Sequence, residues 1–118
     1  MKLFSLNETL FEPVSHDPQL KKRVITRGTL PCVTHVSHII LQPGFTVSAH
    51  THHQEYEVMY CIRGKASMTV NGEEVIIAKG NLMYAEPGDS HSFDEILEET
   101  ELLYFVVKND PHKKKNSP

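Results

Sequence analysis

The stretch Gly44-Phe45-Thr46-Val47-Ser48-Ala49-His50-Thr51-His52-His53-Gln54-Glu55-Tyr56-Glu57-Val58-Met59-Tyr60-Cys61-Ile62-Arg63-Gly64 sets three histidines within four positions, two glutamates just beyond, and a glycine at each end. Side chains alternate along a strand, so His50 and His52 point to one face with Cα atoms ~6.8 Å apart. Imidazoles that close can share one metal at ligand distances of ~2.0–2.2 Å. His53 points the other way in a regular strand. The chain must then turn through Gln54-Glu55-Tyr56 for Glu57 to return to the same site. Far downstream, His91 follows a Pro87-Gly88 turn and can close the set from the other side of a barrel. Of the eight histidines, His16, His35, His38 and His112 read as surface or satisfied core residues, and His53 as exposed or supporting.

Outward from this stretch the pattern is strands and turns. Val24-Ile25-Thr26-Arg27 is a first strand, and Val33 to Leu41, rich in β-branched residues, ends at the turn signal Gln42-Pro43-Gly44. Val58 to Ile62 is a short apolar run that stops at Arg63-Gly64. Ala66 to Val70 and Val75 to Ile77 flank Asn71-Gly72, a strong hairpin signal. Leu82 to Ala85 precedes Pro87-Gly88, and Leu102 to Val107 is a final apolar strand. Asp94 to Thr100 could hold a helical turn, although its glutamates mark it rather as an exposed loop. Turn signals spaced this closely imply an all-β sandwich or barrel.

Residues and spacing together resemble the cupin family. The first cupin motif, G-x5-H-x-H-x3,4-E-x6-G, is met at Gly44, His50, His52, Glu57 and Gly64. The second, G-x5-P-x-G-x2-H-x3-N, is met at Gly80, Gly88 and His91, with Glu86 in place of proline and Glu95 in place of asparagine. The resemblance covers residues 33 to 107 and implies a double-stranded β-helix, a jelly-roll-like barrel. It further implies that His50, His52, Glu57 and His91 hold one divalent metal per chain. Nitrogen and oxygen donors without thiolate suit Fe, Mn, Ni, Zn or Co. In octahedral geometry such a site keeps two open positions, enough for a bidentate α-hydroxy or α-keto acid, a diol or an enediol.

By parity from Glu57 and His91, Met59, Cys61 and Phe93 face inward, and with Met83 and His38 they make a candidate substrate pocket. Tyr56, Tyr84, His38 and Glu86 are candidate acids or bases. Val58, Tyr60 and Ile62 face out, and a strand apolar on both faces must bury both, which predicts a homodimer.

Composition narrows the functional classes. A chain of 118 residues holds one core. The reading divides it into an N-terminal extension or peripheral strand at 1–23, a cupin domain at 24–110, and a flexible basic tail at 111–118. A net charge of −3 argues against a nucleic-acid partner held through its phosphates. No apolar run approaches the ~18–20 residues of a membrane span, and the opening residues become polar too soon for a signal peptide. Two cysteines, Cys32 and Cys61, make no disulfide framework, so a cytoplasmic location is expected. The expected function is a metal-dependent enzyme on a small oxygen-chelating molecule, with dioxygenase-like oxidation ahead of isomerase or lyase chemistry. The alternative is a barrel that binds or senses a small ligand without turnover.

Overall fold

The computed structural model describes residues 2–6, 12–13 and 20–109. His16, His112 and the lysine-rich tail lie outside the described residues. Among the described residues eight strands follow one another: β1 (Glu12–Pro13), β2 (Leu20–Ile25), β3 (Val33–Leu41), β4 (Val47–Thr51), β5 (Glu55–Val70), β6 (Glu73–Ala78), β7 (Leu82–Ala85) and β8 (Ser90–Lys108). The fold is all-β, with no helix among the described residues.

Two long strands organise it. β5 and β8 run antiparallel along their whole lengths, from Glu55 opposite Lys108 to Val70 opposite His91. The first half of β5 and the second half of β8 are flanked by β7 on one side and by β3, β2 and β1 on the other. The other halves are flanked by β6 and β4. Register shifts cluster between Cys61 and Met68, where the paired strands bend and fold the sheet over on itself. The two inner faces then meet in one apolar core of Leu41, Met59, Cys61, Ala66, Met68, Ile77, Phe93, Ile96 and Leu102. Burying a side chain such as Met68 or Ile77 there contributes about 1.5–3 kcal/mol.

The bend needs Gly64. Its φ is +95°, and a Cβ built on it would stand 2.3 Å from the Glu99 carbonyl oxygen and 2.5 Å from the Thr100 Cα. Backbone passes too close for any side chain. The Thr100 hydroxyl fills the adjoining gap, accepting from the Lys65 amide at 3.1 Å and donating to the Glu98 carbonyl at 2.8 Å. Asn71-Gly72 forms the expected two-residue hairpin, with φ of +50° and +80° and Val70 facing Glu73.

Four expectations are corrected. The strand expected at Val24–Arg27 is β2, Leu20–Ile25, preceded by the short β1, and Thr26 and Arg27 lie beyond its end. β5 does not stop at Arg63-Gly64 but bends there and continues to Val70, so Gly64 lies inside a strand rather than at a reversal. Asp94 to Thr100 is neither helix nor loop but the middle of β8. Ile96 and Thr100 turn inward there while the carboxylates take the solvent face, Asp94 bonded to Ser92 and Thr69, and Glu99 to Arg63 and Gln42. His52 lies just past the end of β4, so its orientation follows from the turn and not from strand alternation.

Gly64→Ala combines strain at positive φ with a backbone clash, and it should cost about 3 kcal/mol or more. Gly44 shares a φ of +92° but a Cβ there meets nothing within 4 Å, so Gly44→Ala should cost only about 1 kcal/mol. Urea unfolding of the two variants checks the difference. Equal midpoints would contradict this account of the bend.

Candidate metal centre

Glu57 lies on the first half of β5 and His91 at the start of β8, on facing walls of the barrel. The Glu57 Oε2 nevertheless sits 3.0 Å from the His91 Nε2 and 3.2 Å from the His52 Nε2. His50, on β4, is in register with His91, their ring centroids 4.2 Å apart. His50 and His52 rings stand 5.3 Å apart. One donor atom from each of His50, His52, Glu57 and His91 lies within 4.8 Å of all the others. A divalent ion with ligands at about 2.1 Å sets adjacent donor atoms about 3.0 Å apart and opposite ones about 4.2 Å apart. The four residues fit that requirement, and the structure brings together the set picked out in the sequence. His53 stays outside it, exposed to solvent.

Local structure aims each donor. The His50 Nδ1 lies 3.0 Å from the Ser48 carbonyl oxygen, and since a carbonyl only accepts, Nδ1 carries the proton and Nε2 the lone pair. The turn at Pro87-Gly88 braces His52, the Gly88 amide donating to the His52 carbonyl at 2.8 Å. Asn71 braces the start of β8: its amide group donates to Asp89 and its side-chain oxygen accepts from the Ser90 amide, both at 2.9 Å. The hairpin residue thus also fixes the approach to His91.

The cluster is closed at its floor and open at its mouth. The His91 side chain is 2% exposed and that of Glu57 11%, against 35% for His52, and His50 is exposed. Burial pushes the Glu57 carboxyl upward, but the hydrogen bond from His91 and the positive field of the three imidazoles outweigh it and hold Glu57 below its ordinary range. The same bond to Glu57 outweighs burial at His91 and raises its imidazole.

The other candidates divide by face. Met59 and Met83 pair across β5 and β7 on the inner wall beside Glu57. Cys61 and Phe93 also point inward, but into the packed core; Cys61 is fully buried, its thiol bonded to the Arg63 carbonyl and raised by burial. His38 is misplaced by the sequence reading. It lies in the row of Leu103 and Tyr60, on the opposite face of the sheet from Glu57, bonded to Glu101 at 2.6 Å. Tyr56 and Tyr84 take that outer face too. The sequence reading missed three inner-face residues, His35, Ser37 and Tyr104. Alternation along β3 and β8 carried the signal, but apolar residues on both faces hid which face was which.

A family model for the cupin domain matches residues 37–115. The chain is a cupin. A solved structure of a predicted oxalate decarboxylase from Thermotoga maritima superposes with a TM-score of 0.82 at 21% identity, covering 91% of this cupin and 99% of that chain. An uncharacterized protein from Streptomyces coelicolor is 30% identical over 115 residues, 94% of this chain and 98% of its own. An oxalate-binding protein from Thermotoga maritima is 35% identical over 54 residues, 46% of this chain, and the match spans less than half of that relative, 45%. No helix among the described residues is long and apolar enough to cross a membrane.

The Glu57–His91 pair makes the metal-free cupin pH-sensitive. A raised His91 contributes stability that is full below its ordinary value of 6.5 and fades as pH rises through its folded value. A depressed Glu57 contributes stability that is present above its ordinary value of 4.5 and fades as pH falls through its folded value. The two overlap between these limits. The melting-temperature difference between wild type and Glu57→Gln, measured in chelator, should therefore peak in that weakly acidic window. A difference independent of pH would contradict the pairing.

Proposed function

We propose that this cupin binds one divalent ion per chain through His50, His52, Glu57 and His91 and acts as an enzyme on a small oxygen-chelating molecule, with oxidation ahead of isomerisation or lyase chemistry. One observation carries the reading: the four donors are anchored at the floor of the barrel yet reach solvent at His50 and His52, so a small molecule can approach the ion directly. Three neutral imidazoles and one carboxylate leave a bound divalent ion with net charge of about +1, which favours an anionic oxygen ligand. Bound there, the ion would supply Lewis-acid stabilisation of negative charge on substrate oxygens, and redox capacity where it is iron or manganese.

The chain's own residues do the rest. Glu57 and His91 hold their donors inward on buried strands, while the His50 tautomer is fixed through Ser48. Met59, Met83, Ala85 and Val106 surround Glu57 on the inner wall and keep water from crowding the substrate side. A binding role without turnover is the second reading, and the resemblance over part of the chain to an oxalate-binding protein favours it. For either role, a small carboxylate chelator such as oxalate is the first probe.

We further propose that two copies pair through the outer face of the β5–β8 sheet. Tyr60, Leu82 and Tyr84 are 42%, 67% and 62% exposed there, beside Val58, Leu103 and Phe105. A patch of this kind suits a self-complementary contact across a two-fold axis.

Elemental analysis of protein purified without a histidine tag should find one equivalent of metal, lost in His52→Ala and largely kept in His53→Ala. Equal retention by both variants would contradict the ligand assignment. Reconstitution with iron, manganese, nickel and zinc separately, against diols, keto acids and sugars with and without oxygen, then sorts the chemistry. Oxygen-dependent turnover confined to iron or manganese supports oxidation; turnover with zinc or nickel supports rearrangement. Chelator binding without turnover by any metal form would leave the binding role. In sedimentation at micromolar concentration, wild type should be a dimer and Leu82→Glu a monomer; a monomeric wild type would refute the pairing.

A further inference from the structure

Asn71 is the one asparagine in the sequence that precedes a glycine. It is exposed at the tip of the β5–β6 hairpin, and a Cβ built on the neighbouring Gly72 meets nothing within 4 Å. The turn itself needs only a backbone at positive φ, here +50°, which glycine would supply as well. The Asn71 side chain does more. Its Nδ2 donates to the Asp89 Oδ1 and its Oδ1 accepts from the Ser90 amide, both at 2.9 Å. The Asn71 backbone amide also donates to the Ser90 carbonyl, at 2.8 Å.

These bonds lie one step from three of the four donors. Ser90 precedes His91 and pairs with Thr51, the residue between His50 and His52. The second Asp89 oxygen accepts from the Glu86 amide at 2.8 Å, closing the turn whose Gly88 amide holds the His52 carbonyl. Replacing the Asn71 amide group with a carboxylate would remove the donor to Asp89 and set two negative charges against each other. That repulsion falls on the segment that carries His91.

We propose that Asn71 is a deamidation site whose conversion disarms the metal centre, and that a bound ion protects it. The Gly72 backbone nitrogen attacks the Asn71 Cγ. The new C–N bond replaces the bond from Cγ to Nδ2, and ammonia leaves with the proton of the Gly72 amide. Water then opens the cyclic imide at one carbonyl or the other, giving aspartate or, with the backbone rerouted through the side chain, isoaspartate. No electron is transferred, and water is the only reactant added. Glycine has no side chain to obstruct the ring. In the closed hairpin the two side-chain bonds hold the Asn71 amide group against Asp89 and Ser90, so the reaction runs from a locally opened state that has released them. An ion on His50, His52 and His91 binds the closed state and depletes the open one. By linkage, a converted chain that favours the open state binds the ion more weakly. The inference rests on the ligand assignment above.

Metal-free and zinc-loaded wild type, held side by side in warm, mildly alkaline buffer, give the first readout. Peptide mapping by mass spectrometry should find the amide-to-acid mass change at Asn71, several-fold slower in the zinc-loaded protein. Zinc titration by calorimetry gives the second. Asn71→Asp should bind zinc about tenfold more weakly or worse, as removal of groups that support metal ligands does, with the stoichiometry still one. The double variant Asn71→Asp, Asp89→Asn exchanges donor and acceptor across the same bond, and it should recover most of the lost affinity. Should the variants fail to fold, the two wild-type rates and the zinc affinity of the converted wild type carry the test. No conversion at Asn71, unchanged affinity in Asn71→Asp, or a folded double variant without recovery would overturn the inference. Wild type that binds zinc yet converts equally fast in both forms overturns the coupling and leaves the ligand assignment standing. Wild type that binds no zinc refutes the assignment, and the coupling falls with it.

Discussion

Everything at the site depends on the bend in the β5–β8 pair. Glu57 and Val70 lie on the same strand, and Val70 is the register partner of His91. In a straight strand Glu57 and Val70 would be about 43 Å apart, far beyond any shared ligand. Glu57 and His91 instead touch at 3.0 Å. The strand pair therefore has to fold back over its own inner face. It can do so because at Gly64 the neighbouring strand's backbone occupies the space a side chain would need. Backbone geometry, more than any attraction among the four donors, creates the cluster. The donors themselves are costly to gather: three imidazoles crowd one carboxylate, and at Glu57 burial is the largest single influence, outweighed only by the His91 bond and the field of the imidazoles together.

Local rules made much of this legible from sequence. The Asn71-Gly72 hairpin, the bounds of β3 and the short strand β7 follow from turn residues and β-branched runs, which act over a few positions. The four donors were legible because their spacing matched two family motifs, although one step of the geometric argument failed. His52 lies past the end of β4, and the Gly88 amide, a tertiary contact, holds its backbone. What was not legible depended on partners distant in sequence. The segment Asp94–Thr100 reads as a loop when taken alone, because nothing nearby shows that Arg63, Gln42 and Thr69 will receive its carboxylates. The strand break expected at Arg63-Gly64 failed for the same reason: only the passing Glu99–Thr100 backbone turns a stop signal into a bend.

Face assignment was the other gap. Alternation says which residues share a face but not which face is inside, and this sheet is apolar on both. His38 was therefore placed in the pocket, although register puts it behind the sheet with Tyr60 and Leu103. His35, three residues earlier, was passed over as an ordinary histidine, although a register shift between Val33 and His35 sets it on Glu57's wall. Both histidines are buried and bonded, so burial alone would not have told them apart.

The central claim is that the bend assembles one metal site from these four side chains. Anomalous diffraction from crystals of the zinc-loaded protein tests it most directly. The account predicts one ion per chain, with Nε2 of His50, an imidazole nitrogen each of His52 and His91, and a Glu57 oxygen all within ~2.0–2.2 Å of it. An ion bound at His53 or elsewhere on the surface, with the Glu57–His91 hydrogen bond still intact, would contradict it.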